Sequence, residues 1–243
     1  MSNRTAVSPK HHSIQFGKEK IDFVLSFENC KRLSITAHPD KSITVKAPLG
    51  KTVEAVLERI KKRASWIIKQ KQYFERFQPL PPEKQYVSGE TFLYLGRQYR
   101  LKVRKDKQET VKLIGRYLNV YTKDTGNKKR IKYLVDSWYL EHGKIIIMRH
   151  FEQCFESIRR ISIPYPKIRF RRMKNRWGSF GKTGTITLNT ELINAPLYCI
   201  DYVIVHELCH LKYPNHGKKF FQLLTRLMPD WKQRKKRLER VII

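Results

Sequence analysis

One segment near the carboxyl end constrains the fold more than any other, because it must form a buried helix between two prolines. In residues 197–213 the apolar side chains recur three, four and seven positions apart, at Ile200, Val203, Ile204, Leu208 and Leu211. This spacing is typical of a helix with one buried face. Pro196 suits the start of such a helix, and Pro214 ends it.

This helix carries the sequence H-E-x-x-H, formed by His206, Glu207 and His210. Residues four apart project from one face of a helix, about one turn apart. The two imidazoles can therefore reach one tetrahedral ion at roughly 2.0–2.1 Å each. The side chain of Glu207 lies to one side of this pair, where it can accept a proton from a water molecule bound to the ion. The pattern predicts a metal centre with a general base, against the alternative of two ordinary helical histidines.

A third ligand is expected from His216, which follows the helix break at Pro214. A turn beside the helix can bring its imidazole back to the ion. The alternatives for His216 are a helix N-cap or a surface histidine. The histidine spacing matches the metzincin count, but Tyr213 stands where those enzymes have glycine. A glutamate ligand is disfavoured, because no glutamate lies between Glu207 and Glu239.

The sequence of the rest of the chain predicts groups of strands separated by helices. Strand-like alternation occurs at residues 23–27, 33–37, 43–47, 92–95, 99–103, 111–114 and 118–121. The second and third of these runs predict a hairpin, and the last four predict an antiparallel region. A helix is expected from the N-cap Thr52 to a linker at residues 79–82, and another over residues 127–159, weakened by Gly143.

These blocks indicate an α+β fold, because strands and helices do not strictly alternate. We expect a disordered tail over residues 1–20, a β-rich region with a helix over residues 21–125, and a metal-binding domain over residues 126–243. No internal repeat is evident in the sequence.

A basic strand is predicted just before the metal-binding helix. Lys167, Arg169 and Arg171 alternate with apolar residues, and the chain returns at residues 185–189 to form a predicted hairpin. Such an edge strand can pair with the extended backbone of a peptide substrate. The alternative is an ordinary core hairpin. Arg176 is the nearest candidate for stabilising an oxyanion.

The charge of the chain suggests a polyanionic partner. The formal net charge is +30, from 51 Lys and Arg against 21 Asp and Glu. Such an excess attracts nucleic acid, ribosomes or acidic protein segments, although a solvated surface without a ligand is the alternative. A basic cluster near the carboxyl end contributes Lys232, Arg234, Lys235, Lys236, Arg237 and Arg240. We expect non-specific binding without base stacking, because few aromatic residues are interleaved with these charges.

Composition also bears on location. The longest apolar stretches are far too short to cross a bilayer, and the first twenty residues have no apolar core. The four cysteines form no C-x-x-C pair, which indicates reduced thiols. We therefore expect a cytoplasmic protein without a membrane partner.

Several motifs together resemble a known family. They are Arg176-Trp177-Gly178-Ser179, Ile186-Thr187-Leu188-Asn189, the H-E-x-x-H helix, Pro214-Asn215-His216-Gly217 with Phe220, and Pro229-Asp230-Trp231. This set is similar to the YgjP-like metallopeptidase domain, which is related to the SprT-like and WLM zinc proteases, and the likeness extends upstream to residues 32–48 and to Trp66. Phe180 departs from the family pattern, in which cysteine is expected at this position. The resemblance implies a zincin-like zinc site at His206, His210 and His216, and implies no particular substrate.

Together these features predict a zinc-dependent hydrolase, a metallopeptidase acting on a peptide or protein with Glu207 as its general base. One alternative keeps the metal but hydrolyses a phosphoanhydride, as a nucleotide pyrophosphatase does. Another is a nucleic-acid-binding protein with a structural zinc. A three-ligand site favours catalysis, because it leaves a position open for water, which structural sites normally close.

Overall fold

A computed structural model describes residues 7–38, 40–75, 82–173, 176–181 and 183–241. These residues form two compact units, the first ending at Pro82 and the second running from Glu83 to Val241. Both units mix helices and strands, as the predicted α+β class requires. The chain does not divide at the predicted boundary between residues 125 and 126, because strands before it and a helix after it share one core.

The first unit contains a four-stranded sheet. Its strands are β1 (Val7–Phe16), β2 (Glu19–Glu28), β3 (Ser34–Ala37) and β4 (Ile43–Pro48). They lie in the order β1-β2-β4-β3, with β2 and β4 parallel and the outer pairs antiparallel. The predicted hairpin over residues 33–47 is confirmed as β3–β4.

The predicted disordered tail is wrong for residues 7–20, and residues 1–6 lie outside the described part. β1 pairs antiparallel with β2, and Ile14 is buried beside the core residues Ile21 and Phe23. The strand escaped prediction because most of its side chains are polar. An edge strand is stabilised by backbone pairing with its neighbour, which side-chain patterning does not reveal.

Two helices, α1 (Val53–Lys61) and α2 (Ala64–Glu75), stand where one was predicted. The hydroxyl of Thr52 accepts a hydrogen bond from the Ala55 backbone N–H at 3.3 Å, which confirms the N-cap. A turn at residues 62–63 separates the helices. The predicted linker at residues 79–82 lies outside the described part, apart from Pro82.

The second unit begins with a sheet of β5 (Thr91–Tyr94), β6 (Arg97–Lys105), β7 (Thr110–Ile114) and β8 (Tyr117–Thr122). The order is β5-β6-β8-β7. The prediction of an antiparallel region is wrong for the central pair, because β6 and β8 are parallel. This arrangement repeats that of the first sheet, a similarity of backbone topology that the sequence does not show.

A single helix, α3 (Lys128–Ser157), covers one face of this sheet. The side chain of Asn127 caps it by accepting a hydrogen bond from the Arg130 N–H at 3.0 Å. The helix continues through Gly143 without a break. A Cβ at Gly143 would lie 3.5 Å from Ile193 and from the Thr190 carbonyl oxygen. These are ordinary van der Waals distances, so the packing of α3 against the 3-10 helix Thr190–Asn194 does not require glycine at this position.

The remaining elements are the predicted metal-binding helix and the strands and helices around it. They are β9 (Lys167–Arg171), β10 (Gly178–Phe180), β11 (Thr185–Asn189), α4 (Leu197–His210), α5 (Lys218–Leu227) and α6 (Trp231–Leu238). α4 is buried from Cys199 onward apart from the partly exposed Asp201 and His206, and its apolar residues form the centre of the largest core. Among the described residues, no helix is both long and apolar enough to cross a bilayer.

The predicted hairpin between residues 167–171 and 185–189 is wrong. β11 lies between the other two strands, parallel to β9 and antiparallel to β10. The hairpin next to α4 is formed by β10 and β11. Because β10 runs antiparallel to β11 and β11 runs parallel to β9, the direction of β10 is also opposite to that of β9.

Candidate metal centre

Three histidine side chains converge at the end of α4. His206 and His210 lie on that helix, and His216 lies in the loop that leads to α5. The Nε2 atom of His216 is 3.0 Å from Nε2 of His206 and 3.1 Å from Nε2 of His210. Tertiary structure thus brings together the three residues that the sequence singles out as ligands. Among the described residues, no other group of three such side chains converges in this way.

The donor set fits a divalent metal such as zinc. Tetrahedral coordination at about 2.0–2.1 Å holds nitrogen donors about 3.3–3.4 Å apart, a few tenths of an ångström more than observed. Nδ1 of His210 lies 3.2 Å from the Tyr213 carbonyl oxygen. A proton on that Nδ1 leaves the lone pair of Nε2 directed at the other two rings.

Burial keeps these imidazoles in the form that binds metal. Desolvation, together with the smaller electrostatic effects of His210 and His216, lowers the pKa of His206 to about 3. Desolvation also lowers the pKa of His210. Neutral imidazole is the form that ligates a metal ion. Both rings on α4 are therefore neutral at pH 7 without a metal.

The loop after α4 determines where His216 lies. The Tyr213 N–H donates to the Cys209 carbonyl oxygen at 2.9 Å as the helix ends. The buried ring of Phe220 then packs against all three imidazoles, with centroid distances of 5.0 Å to His206, 4.6 Å to His210 and 4.7 Å to His216. Phe220 is thus an apolar support for the cluster. The sequence singled out Phe220 only as part of a motif and as an apolar residue at the start of α5, without indicating this role.

A chain of further aromatic side chains connects His206 with His216. Tyr202, one turn before His206, contacts that imidazole at 5.8 Å and stacks on Trp231 at 6.4 Å. Trp231 stacks on Phe221 at 5.5 Å, and Phe221 stacks on His216 at 6.1 Å. Side chains from α4, α5 and α6 therefore fix the directions of two of the imidazoles. Sequence reasoning missed this role of Tyr202, although its four-residue spacing from His206 was visible.

Glu207 is buried beside the histidines. Only 5% of its surface is exposed, and its Oε2 has no hydrogen-bond partner in the described part of the chain. Burial raises the pKa of Glu207 to about 7, against the opposing effect of the Arg176 charge. A carboxyl group with such a pKa can both accept and release a proton near neutral pH. Arg176, proposed from sequence as an oxyanion group, is thus close enough to act electrostatically on Glu207.

Gly178 makes room for this carboxyl group. It is the first residue of β10, and a Cβ there would lie 2.6 Å from Oε1 of Glu207. Glycine is therefore required for the close approach of the strand to the carboxyl group. Sequence analysis singled out Gly178 only as part of a motif and did not indicate that glycine is needed beside Glu207.

Asn189 holds the segment that leads to Gly178. This fully buried side chain donates to the carbonyl oxygens of Met173 at 2.7 Å and Arg176 at 2.9 Å. Its Oδ1 accepts from the backbone N–H groups of Met173 at 3.3 Å and Glu191 at 3.1 Å. Asn189 therefore ties β11 to both described ends of the loop between β9 and β10. No local pattern in the sequence indicates this network.

Comparison with known protein families identifies one match. The sequence profile of the YgjP-like metallopeptidase domain matches residues 31–241. Similar solved structures include the metallopeptidase zymogen abylysin of Pyrococcus abyssi, with 25% identity, a TM-score of 0.34, and coverage of 38% of this chain and 90% of that one. Another is the metallopeptidase zymogen jannalysin of Methanocaldococcus jannaschii, with 28% identity, a TM-score of 0.34, and coverage of 38% and 92%. No curated protein matches the chain. Because the family profile spans most of its length, the chain belongs to the YgjP-like metallopeptidase domain family.

Proposed function

We propose that the chain is a zinc-dependent metallopeptidase with a zincin-like site, in which His206, His210 and His216 hold the metal and Glu207 is the general base. One observation carries the proposal. The Nε2 atoms of His206 and His210 lie 3.0 and 3.1 Å from Nε2 of His216, beside the buried Glu207, whose Oε2 has no hydrogen-bond partner among the described residues. A structural zinc site would need a fourth protein ligand, and no other described side chain joins the three histidines.

Glu207 performs the proton transfers in this proposal. A zinc ion at the three imidazoles supplies Lewis acidity and an open coordination position. The Glu207 carboxylate takes a proton from the attacking water and gives it to the leaving amine. Burial raises the pKa of Glu207 to about 7 in the metal-free site, and the charge of a bound zinc ion would favour the ionised form that accepts the proton. The charge of Arg176 keeps part of the Glu207 population ionised.

A peptide substrate suits the edge of the small sheet. Among the described strands, β10 pairs only with β11, which leaves its other edge available. The Gly178 end of this edge lies against Glu207. An extended peptide bound along β10 through main-chain hydrogen bonds would place its backbone next to the base. The sequence suggested this role for residues 167–171, but β9 lies on the opposite side of β11.

The test is a panel of peptides, denatured proteins and nucleotides, offered to the purified chain with and without a chelator. We expect about one zinc per chain, cleavage of peptide bonds, and loss of cleavage with the chelator. Glu207→Gln should retain zinc and lower turnover by roughly 10²–10⁴-fold. His210→Ala should lose zinc.

Nucleotides in the same panel separate the two metal-dependent reactions. Hydrolysis of nucleotides without cleavage of any peptide would favour the pyrophosphatase alternative. Unchanged turnover in zinc-loaded Glu207→Gln would show that Glu207 is not the base and would favour a structural zinc. Binding of nucleic acid through the basic surface stays a separate prediction.

A further inference from the structure

The sheet of β5–β8 has one face that α3 does not cover. Phe92, Leu101, Leu118 and Val120 point to the core that this sheet shares with α3. The residues at alternating positions lie on the opposite face, and none of them is acidic. This open face carries Arg100, Lys102 and Arg104 on β6, Lys112 on β7, and Tyr117 and Tyr121 on β8.

The cations and the two tyrosines are interleaved across the open face. Arg100 is the register partner of Tyr117, and Arg104 is that of Tyr121. Lys102 lies between them, with its Nζ 5.1 Å from the centroid of the Tyr117 ring. Tyr117 nevertheless keeps 45% of its surface exposed. The two tyrosines are four residues apart on one strand, and thus about 13 Å apart.

A pocket lies at one end of the open face, beside Tyr117. Its volume is about 380 Å³, and its lining residues are Thr91, Gln98, Arg100, Arg116 and Tyr117. An aromatic ring can stack on a base, an amide can bond to a base edge, and guanidinium groups can bind phosphate. In the described part of the chain, no carboxylate forms an ion pair with Arg100, Arg116 or Lys102. The positive charge of the pocket is therefore not neutralised internally.

We propose that the open face of the β5–β8 sheet binds single-stranded nucleic acid. The phosphates contact the cations of β6 and β7, and unpaired bases stack on Tyr117 and Tyr121. A duplex would offer its phosphates but no base face to these rings. An acidic peptide would use the charges and leave the rings without a role. The face lies apart from the histidine cluster in sequence and rests on none of its residues, so the inference is independent of the proposed peptidase activity.

The site differs from the one that the sequence suggested. The basic residues at positions 167–176 and near the carboxyl end have few interleaved aromatic residues, and predict binding by charge alone. On the open face, strand register sets Tyr117 beside Arg100. We therefore expect affinity to depend on base stacking as well as on salt.

The experiment measures fluorescence anisotropy of a labelled oligouridylate of about twelve residues with the full chain. A matched oligomer lacking bases has the same phosphates and isolates the charge contribution. Tyr117→Ala should weaken oligouridylate binding by roughly 5- to 150-fold, as expected for loss of one stacked base. Tyr117→Phe should restore most of the affinity, because the ring remains. Neither change should alter binding of the oligomer without bases.

Tyr133→Ala is the matched control. Tyr133 is an exposed tyrosine on α3 with the Arg130 guanidinium 5.0 Å from its ring centroid, so it shares the cation contact but not the open face. It should leave affinity unchanged. Equal effects of Tyr117→Ala and Tyr133→Ala would overturn the inference. So would equal affinity for the oligomer without bases, tighter binding of duplex, or no oligouridylate binding at about 50 mM salt.

Discussion

Replacement of Gly178 by alanine tests how Glu207, the proposed general base, is held. A Cβ at this position would lie 2.6 Å from Oε1 and 2.8 Å from Cγ of Glu207, whereas ordinary contacts begin at 3.4 Å. The carboxyl group must therefore move by roughly 0.8 Å, or the strand must shift by a similar amount. Glu207 is buried, so its side chain has little free space in which to relax.

The expected effect on catalysis follows from this displacement. A misplacement of about 1 Å in a reacting group can lower the rate by about 10²-fold. We therefore expect Gly178→Ala to lower kcat/KM by roughly 10- to 100-fold, which is about 1.4–2.7 kcal/mol of transition-state stabilisation. Zinc content should not change, because the atoms nearest the added methyl group belong to Glu207 and not to a histidine. The assay combines peptide cleavage kinetics with metal analysis.

Gly181→Ala is the matched control in the same hairpin. A Cβ at Gly181 would lie 3.4 Å from the Thr185 carbonyl oxygen, which is an ordinary contact. This variant should keep the wild-type kcat/KM. Wild-type activity in zinc-loaded Gly178→Ala would refute the steric argument. An equal loss in both variants would show that the hairpin as a whole, and not the approach to Glu207, determines the rate.

Two further predictions concern stability. Asn189→Ala removes four hydrogen bonds of a buried side chain. It should therefore lower the free energy of unfolding, measured by chemical denaturation, by roughly 1–3 kcal/mol. An unchanged denaturation midpoint would mean that these hydrogen bonds do not contribute to stability. In the metal-free protein, burial raises the pKa of Glu207 from 4.5 to about 7, so its ionisation lowers stability as pH rises through that window. Metal-free Glu207→Gln should therefore gain stability relative to wild type between pH 5 and pH 8, by about 3 kcal/mol. The measurement is the thermal stability of both proteins at pH 5 and at pH 8. The same difference between Glu207→Gln and wild type at both pH values would contradict a pKa of Glu207 raised by burial.

Much of the candidate site could be predicted because its determinants are local. The four-residue spacing of His206 and His210 places both rings on one helix face, and Pro214 sets where that helix ends. The hairpin of β3 and β4 and the N-cap at Thr52 are also set by neighbouring residues. In each case the relevant contacts lie within a few positions, so spacing alone predicts them.

Strand pairing could not be predicted to the same extent. The polar edge strand β1, the parallel pair β6–β8 and the central position of β11 depend on partners far along the chain. Side-chain alternation shows which face of a strand is buried, but it does not identify the neighbouring strand. The expected hairpin of residues 167–171 with residues 185–189 failed for this reason.

By itself, the sequence determined which side chains make up the candidate site, namely three imidazoles and one carboxyl group near the end of a buried helix. Only the tertiary structure decided that Nε2 of His216 lies 3.0 Å from that of His206, and that Glu207 is buried against Gly178. Helical spacing is a short-range property that each residue and its near neighbours specify. Burial, and with it the pKa of Glu207, arises only when distant segments pack together and exclude water.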